Sequence, residues 1–390
     1  MTIEREKRTL APSPPGVTLQ AELSATGMTQ ADLAARIGLS TKHVNQIIHG
    51  AAPITPETAL KLEHVLGSSA RFWLGRESNY REALARASER KLLEGQTGWI
   101  RTLHASILRD RGLIPPSEDP LETLGNLLKF FRIPSFDNFN AVTGVSGSGV
   151  AFRAAAAHEA DPYAVVTWLR ACEVRAADIT TAPYDETGFR ACLHDVRALT
   201  RKPSPVDWVP ELIDLCAQVG VAVVLEPSIG KTLLNGAAWW PSPDKAIIGL
   251  TGRNKRADIL WFTFFHEAAH IALHSKKQAW VDITAREDMV VDGPGKVEIE
   301  LEADKFAANR LVPGDYDDQL KAIATSWQSL ADFAADIGVG VDVVVGRLQH
   351  LGRIPYASPL GRKVTRNEPE ELAKIARQHI WASHRLPKST

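Results

Sequence analysis

At 390 residues the chain is long enough for two or three domains, each able to bury a core. Its 45 basic and 46 acidic residues nearly cancel, to a formal net charge of −1, so overall charge points to neither a nucleic-acid partner nor an acidic substrate and leaves any DNA contact to a local patch. The three cysteines, Cys172, Cys192 and Cys216, are scattered and form no CxxC pair, which argues against a disulfide framework and against a thiolate zinc site.

The opening "MTIEREKRTL" lacks the apolar core of a signal peptide, and residues 1–15 read as a polar, Pro-rich disordered arm. Short helical patterns separated by Gly and Ser turns follow from about Val17 to Trp73, and a longer helical run leads out of them, so 16–95 reads as one unit. Within it lies "GMTQADLAARIGLSTKHVNQIIHG". Thr29 can cap a helix with Leu33, Ala34 and Ile37 on one face, Gly38 stops that helix, and Ser40 caps the next. In the second helix Val44, Ile47 and Ile48 form an inward stripe, while Thr41, Lys42, His43, Asn45 and Gln46 point outward. Two short helices joined by a tight Gly turn have helix-turn-helix geometry, though spacing alone leaves an ordinary helical hairpin as the alternative. Asn45 and Gln46 can pair with adenine edges, Thr41 and Lys42 can reach guanine or phosphate, and Gln30, at the start of the first helix, is placed for a phosphate. Residues 13–80, with "PITPETALKLE" and "FWLGRESNY", resemble the Cro/repressor-type domain of HigA-family antitoxins. The resemblance implies binding to double-stranded DNA as a homodimer on a palindromic operator, with contacts at Gln30, Ser40, Thr41, Lys42, His43, Asn45 and Gln46. Acidic residues nearly balance basic ones here, a departure that predicts weak, salt-sensitive binding by a monomer.

Residues 96–205 read as a helical middle region, broken at "IPPSEDP", "TGVSGSG" and "TRKPSPVDW", the last of which looks like a domain boundary. The Gly/Ser stretch 144–149 reads as a flexible connector, since it lacks the ending of a phosphate loop. A different pattern then begins: a helix from Val209 to Val219, strands at "VAVVLE", "GAAWW" and "KAIIGL", and an apolar helix. The fold class expected is mainly α with an α+β C-terminal domain: a helix-turn-helix bundle, a helical middle, and a third domain with a small sheet over 206–360. A charged tail over 361–390 closes the chain.

The apolar helix carries "WFTFFHEAAHIALHS", and its long apolar run, Ile259 to Leu273, is interrupted by His266, Glu267 and His270, so it is not a membrane span. No membrane partner and a cytoplasmic location are expected. His266 and His270 lie four apart, which puts both imidazoles on one helix face, and Glu267 beside them is the residue such sites use as general base. Stray His and Glu on so apolar a helix would be costly to bury. A catalytic zinc needs a third protein ligand, and "EIELEADKFAANRLVP" offers three glutamates. Helical phase sets Glu300 on the stripe of Ala303, Asp304, Ala307 and Leu311, with Glu298 and Glu302 opposite, so Glu300 is the expected third ligand. Asp304 can accept a hydrogen bond from a zinc histidine. His274, one turn past His270, is either a group that supports the site or a satisfied, partly buried histidine. The insert from Ser275 to Val297 reads as a mobile rim, and the closing helix–Gly–helix rhythm, with its apolar "VDVVVGRLQH", as packing rather than DNA contact.

"FTFFHEAAHIALH" followed by "ELEADKFAANRLVP", within about 205–355, is similar to the ImmA/IrrE family of metallopeptidases, and the middle segment resembles longer members of that family. The motif positions His266, Glu267, His270, Glu300 and Asp304 are intact. The resemblance implies a zincin-like peptidase domain over 206–360 and Zn²⁺-dependent peptide hydrolysis of a protein substrate, often a repressor, in stress or mobile-element control. No residue identifies an oxyanion stabiliser. The expected function is a DNA-binding regulator with a latent endopeptidase that cleaves a repressor, a partner or itself. The alternative is a non-catalytic, antitoxin-like autorepressor whose zinc is structural.

Overall fold

The computed structural model describes residues 13–143, 160–274, 280–282 and 294–385. The start of the expected arm (1–12), the Gly/Ser connector, most of the expected rim between 275 and 293, and the last five residues lie outside the described residues. The chain divides into two compact units, 1–97 and 98–390.

In the first unit five helices, α1 (Pro15–Thr26), α2 (Gln30–Ile37), α3 (Thr41–Ile48), α4 (Pro56–Leu66) and α5 (Ala70–Leu93), enclose a core built on Leu19, Leu33, Ile37, Val44, Ile47, Leu62 and Trp73. Local chemistry fixes the boundaries. The Thr29 hydroxyl accepts from Asp32 N, and the Asp32 carboxylate returns the bond to Thr29 N, a reciprocal cap at the start of α2. Gly38 ends α2 at φ 67°, a left-handed conformation that glycine adopts without a Cβ clash, and the Ser40 hydroxyl accepts from His43 N to start α3.

The second unit is built around a four-stranded sheet in the order β1-β3-β2-β4: β1 (Val221–Leu225), β2 (Gly236–Ser242), β3 (Lys245–Leu250) and β4 (Trp280–Asp282). β1 runs parallel to β3, while β2 is antiparallel to both β3 and β4. Alternate residues face opposite ways, and both faces are covered, which explains the unbroken apolar runs. On one face α10 (Pro162–Ala177) presses Trp168 and Cys172 against Gly249. On the other, α13 (Ala257–Leu273) presses Thr263 and Glu267 against Gly236.

The middle helices, α6 (Gly98–Thr102) to α9 (Phe139–Thr143), then α10 and α11 (Glu186–Leu199), belong to this same unit. Trp168 Nε1 donates to Glu226 O at 2.8 Å, and Arg111 and Arg175 clamp the buried Glu226 carboxylate at 2.9 and 3.4 Å, tying the helical region to the loop after β1. The proline-rich stretch that reads as a boundary lies inside the unit. Its helix, α12 (Pro205–Ala217), starts four residues before the expected Val209, because Pro205 occupies the first helical position, where a missing N–H costs nothing.

Beyond α14 (Pro294–Leu311) come α15 (Asp317–Ala322), α16 (Trp327–Ile337) and α17 (Val341–His350). α17 buries Val343, Val344, Val345 and Leu348 and packs on α13, as its apolar face predicts. After the short α18 (Pro359–Lys363), the stretch expected as a charged tail forms α19 (Pro369–Arg385). Leu372, Ala373 and Ala376 are buried where α19 lies on α12 and β1; charges at the other positions hide that stripe in a composition count.

Candidate metal centre and nucleic-acid interface

α13 is buried almost throughout, and His266, Glu267 and His270 are all buried with it. Its approach to the sheet depends on Gly236: a Cβ there would lie 2.7 Å from Thr263 Cγ2 and 3.0 Å from Glu267 Oε1. α14 packs along α13 through Ala303 and Ala307, which have no exposed surface and let the helices approach closely. That contact carries Glu300 to the two histidines.

Among the described residues, His266, His270 and Glu300 form the group able to hold a metal ion. His266 Nε2 lies 3.1 Å from Glu300 Oε2 and 3.1 Å from His270 Nε2, and the third side of the triangle, His270 Nε2 to Glu300 Oε2, is 3.6 Å. Ligands at ~2.0–2.1 Å around a tetrahedral zinc stand about 3.3 Å apart, so the triangle has the size of one face of such a site. The outer nitrogens are engaged as well. His266 Nδ1 is 2.9 Å from Asp304 Oδ1, which holds that ring as the Nδ1–H tautomer with its Nε2 lone pair inward. His270 Nδ1 is 3.0 Å from His274 Nδ1, and His274 Nε2 is 3.3 Å from Glu302 Oε2. If His270 donates to His274, and His274 to Glu302, the second Nε2 lone pair also faces inward. Three lone-pair-bearing atoms then converge at 3.1–3.6 Å, an arrangement that repels itself without a cation among them. The donor set fits zinc.

Electrostatics agree with that fit. Burial pushes the Glu300 carboxyl up, but in the metal-free protein, where an Nε2–H of His266 or His270 is turned toward it, those hydrogen bonds outweigh burial and hold it down to about 2, so Glu300 is an anion whichever way the rings are protonated. Burial also pushes the His270 imidazole below its ordinary value, favouring the neutral, ligating form.

The expected groups His266, Glu267, His270, Glu300, Asp304 and His274 therefore gather at one place, but two details differ from the helical-wheel reading. α13 ends at Leu273, and His274 is an extended C-cap residue (φ −110°, ψ 167°) rather than one more turn of helix. Its ring swings to the side of α14 where Glu302 stands. Glu302, expected on a solvated face, is indeed 58 % exposed, yet its carboxylate reaches His274. No phase argument on either helix alone shows that contact.

In the first unit Thr41, Lys42 and Asn45 are exposed on α3, Ser40 is exposed with its hydroxyl used as the cap, and His43 and Gln46 are half-buried. Asn45 Nδ2 donates to Gln30 Oε1 at 3.4 Å, and Gln30 Nε2 donates to Gln20 Oε1 at 3.2 Å, linking α3, α2 and α1 across the outer surface. Gln30 and Asn45 thus share one polar strip, held by side-chain amides.

A helix-turn-helix family model matches residues 22–73, and a model for the IrrE N-terminal-like domain of peptidases matches 216–349. Among solved structures, an addiction-module antidote protein of the HigA family from Coxiella burnetii is 32 % identical, covering 22 % of this chain and 95 % of its own, with a TM-score of 0.21. Pseudomonas aeruginosa antitoxin HigA, solved with the higBA promoter, is also 32 % identical, covering 22 % of this chain and 92 % of its own, with a TM-score of 0.20. No curated protein matches the chain. Among the described residues, no helix is long and apolar enough to cross a membrane.

Proposed function

From a chain that joins a helix-turn-helix domain to an IrrE N-terminal-like peptidase domain, we infer a DNA-binding transcriptional regulator whose second unit is a zinc endopeptidase. The observation that carries this reading is the triangle of His266, His270 and Glu300, with a buried Glu267 next to the first ligand. A zinc ion held there supplies Lewis acidity toward a water molecule and a scissile carbonyl. His266 and His270 present their Nε2 atoms, kept in that tautomer by Asp304 and by the His274–Glu302 pair. Glu300 supplies the one anionic ligand. Glu267 takes the proton of the attacking water and passes it to the leaving amine. Among the described residues, no cysteine stands with the three ligands to close a fourth position, as a structural zinc site would require.

On this reading the first unit binds an operator as a homodimer, with Lys42 and Thr41 toward phosphate or guanine and Asn45 and Gln46 toward base edges. The substrate is a repressor, a partner protein or a second copy of the chain, cut in the cytoplasm in response to stress.

Glu267→Gln keeps the ligand set and removes the base. In cells expressing this variant, a survey of new protein N-termini should lack cleavage products that appear with the wild type, while zinc content and operator binding stay unchanged. The same products in both strains would sink the peptidase mechanism.

A further inference from the structure

Away from the metal triangle, the second unit has a partly open cavity of about 110 Å³ where α12, α13 and α17 all begin. Trp208 of α12 and Trp261 of α13 wall it, their ring centroids 5.0 Å apart. Gly340, Val341 and Asp342 at the start of α17, the segment carrying Thr365 and Asn367, and Thr200, Arg201 and Lys202 complete the lining.

The lining has a definite polarity. Asn367 is only 4 % exposed, and its Oδ1 accepts no hydrogen bond among the described residues. A buried amide oxygen without a donor is costly, so the site asks for an N–H or O–H group. Asp342 lines the same cavity: one carboxylate oxygen accepts from Thr365 N at 3.2 Å, and burial, with Asp258 nearby, pushes this carboxyl above its ordinary value in spite of that bond and of Arg256, a penalty that a further cationic group relieves. Arg201, also in the lining, is exposed, and the hydrogen bond it makes through Nε is a long one (3.5 Å) to Ala198 O, leaving a guanidinium available to an anion. Lys202 is already paired with Glu211. Acceptors, a guanidinium and two indoles lining one cavity describe an amphoteric ligand. A cavity needs about 10–15 Å³ of such volume to hold one water, so this one has room for a small molecule rather than a single water.

We propose that this cavity binds a small zwitterion of the free amino acid class, its ammonium group on Asn367 Oδ1 and Asp342 and its carboxylate on Arg201. Such a ligand ties together the first turns of α12, α13 and α17. Trp261 lies five residues before His266 on the metal-bearing helix, so the site is placed to sense or set the position of α13. The inference concerns binding alone and stands whether or not the second unit cleaves peptides.

The test is calorimetric titration of the full chain with a panel of free L-amino acids at millimolar concentration. At least one should bind, and its N-trimethylated form, which has no N–H donor, should not. The carboxamide form, and the Arg201→Ala variant at an exposed position, should each weaken binding by roughly tenfold. Asn367→Leu should abolish it. Because trimethylation leaves the protein untouched, the donor requirement is decided even where Asn367→Leu fails to fold. Heat from no member of the panel, meaning water alone in the cavity, would overturn the proposal, as would binding that survives trimethylation.

Discussion

Replacing Glu300 by alanine removes the one carboxylate oxygen of the three converging atoms, whereas replacing Glu302 removes a group two contacts away. The two variants should separate cleanly. Glu300→Ala should weaken zinc binding more than roughly hundredfold, and Glu302→Ala about tenfold, the range for groups that only orient a ligand. Elemental analysis with chelator competition measures both, and equal retention would break the ligand set. At this scale the sequence is informative where chemistry is local. The four-residue spacing of His266 and His270 and the phase of Glu300 against Ala303 and Ala307 each lie within one helix. The path from His270 through His274 to Glu302 depends on how the chain leaves α13 at an extended cap residue and on how α14 is laid beside it. Neither is written in a helical wheel.

At the scale of elements, α11 holds the ends of both helices that carry the candidate ligands. Arg190 donates to Ala272 O in the last turn of α13. Arg197, two turns further on the same face, donates to Arg310 O at 2.7 Å and Leu311 O at 3.1 Å at the end of α14. Cations at helix C-termini satisfy carbonyls that have no intrahelical partner and oppose the negative end of the dipole. Arg197→Ala should cost about 1–3 kcal/mol in chemical unfolding and weaken zinc binding, although Arg197 touches no ligand. Unchanged zinc affinity would show that α14 needs no such restraint. Tyr184, whose hydroxyl lies 3.5 Å from Ile271 O, guards the same end of α13, and burial pushes its phenol up to about 12. A folded-state value above the unfolded one contributes stability in full below about pH 10, lost as pH climbs toward the folded value. An ultraviolet titration should therefore show one late phenolate step that Tyr184→Phe removes, and the wild type should lose more stability than the variant across that window. These restraints join residues roughly 80 to 115 positions apart in sequence, beyond the reach of pattern reading. The caps of α2 and α3 are the opposite case: Thr29, Asp32, Gly38 and Ser40 act on their immediate neighbours and are legible by inspection.

For the whole molecule, two compact units with separate cores, one around Trp73 and one around the sheet, imply two unfolding events. With zinc held at the triangle as proposed, stripping it with a chelator should lower the melting transition of the second unit and leave that of the first, and DNA binding, unchanged. A single transition shifting as one would show that the units are energetically coupled. The division also has a genetic consequence. If the first unit binds an operator as proposed, a lesion that unfolds the second unit leaves a first unit able to occupy that site, so in a cell carrying an intact copy it competes for the site and is expected to be dominant. A lesion in α3 yields a chain absent from the operator, and its effect should be recessive.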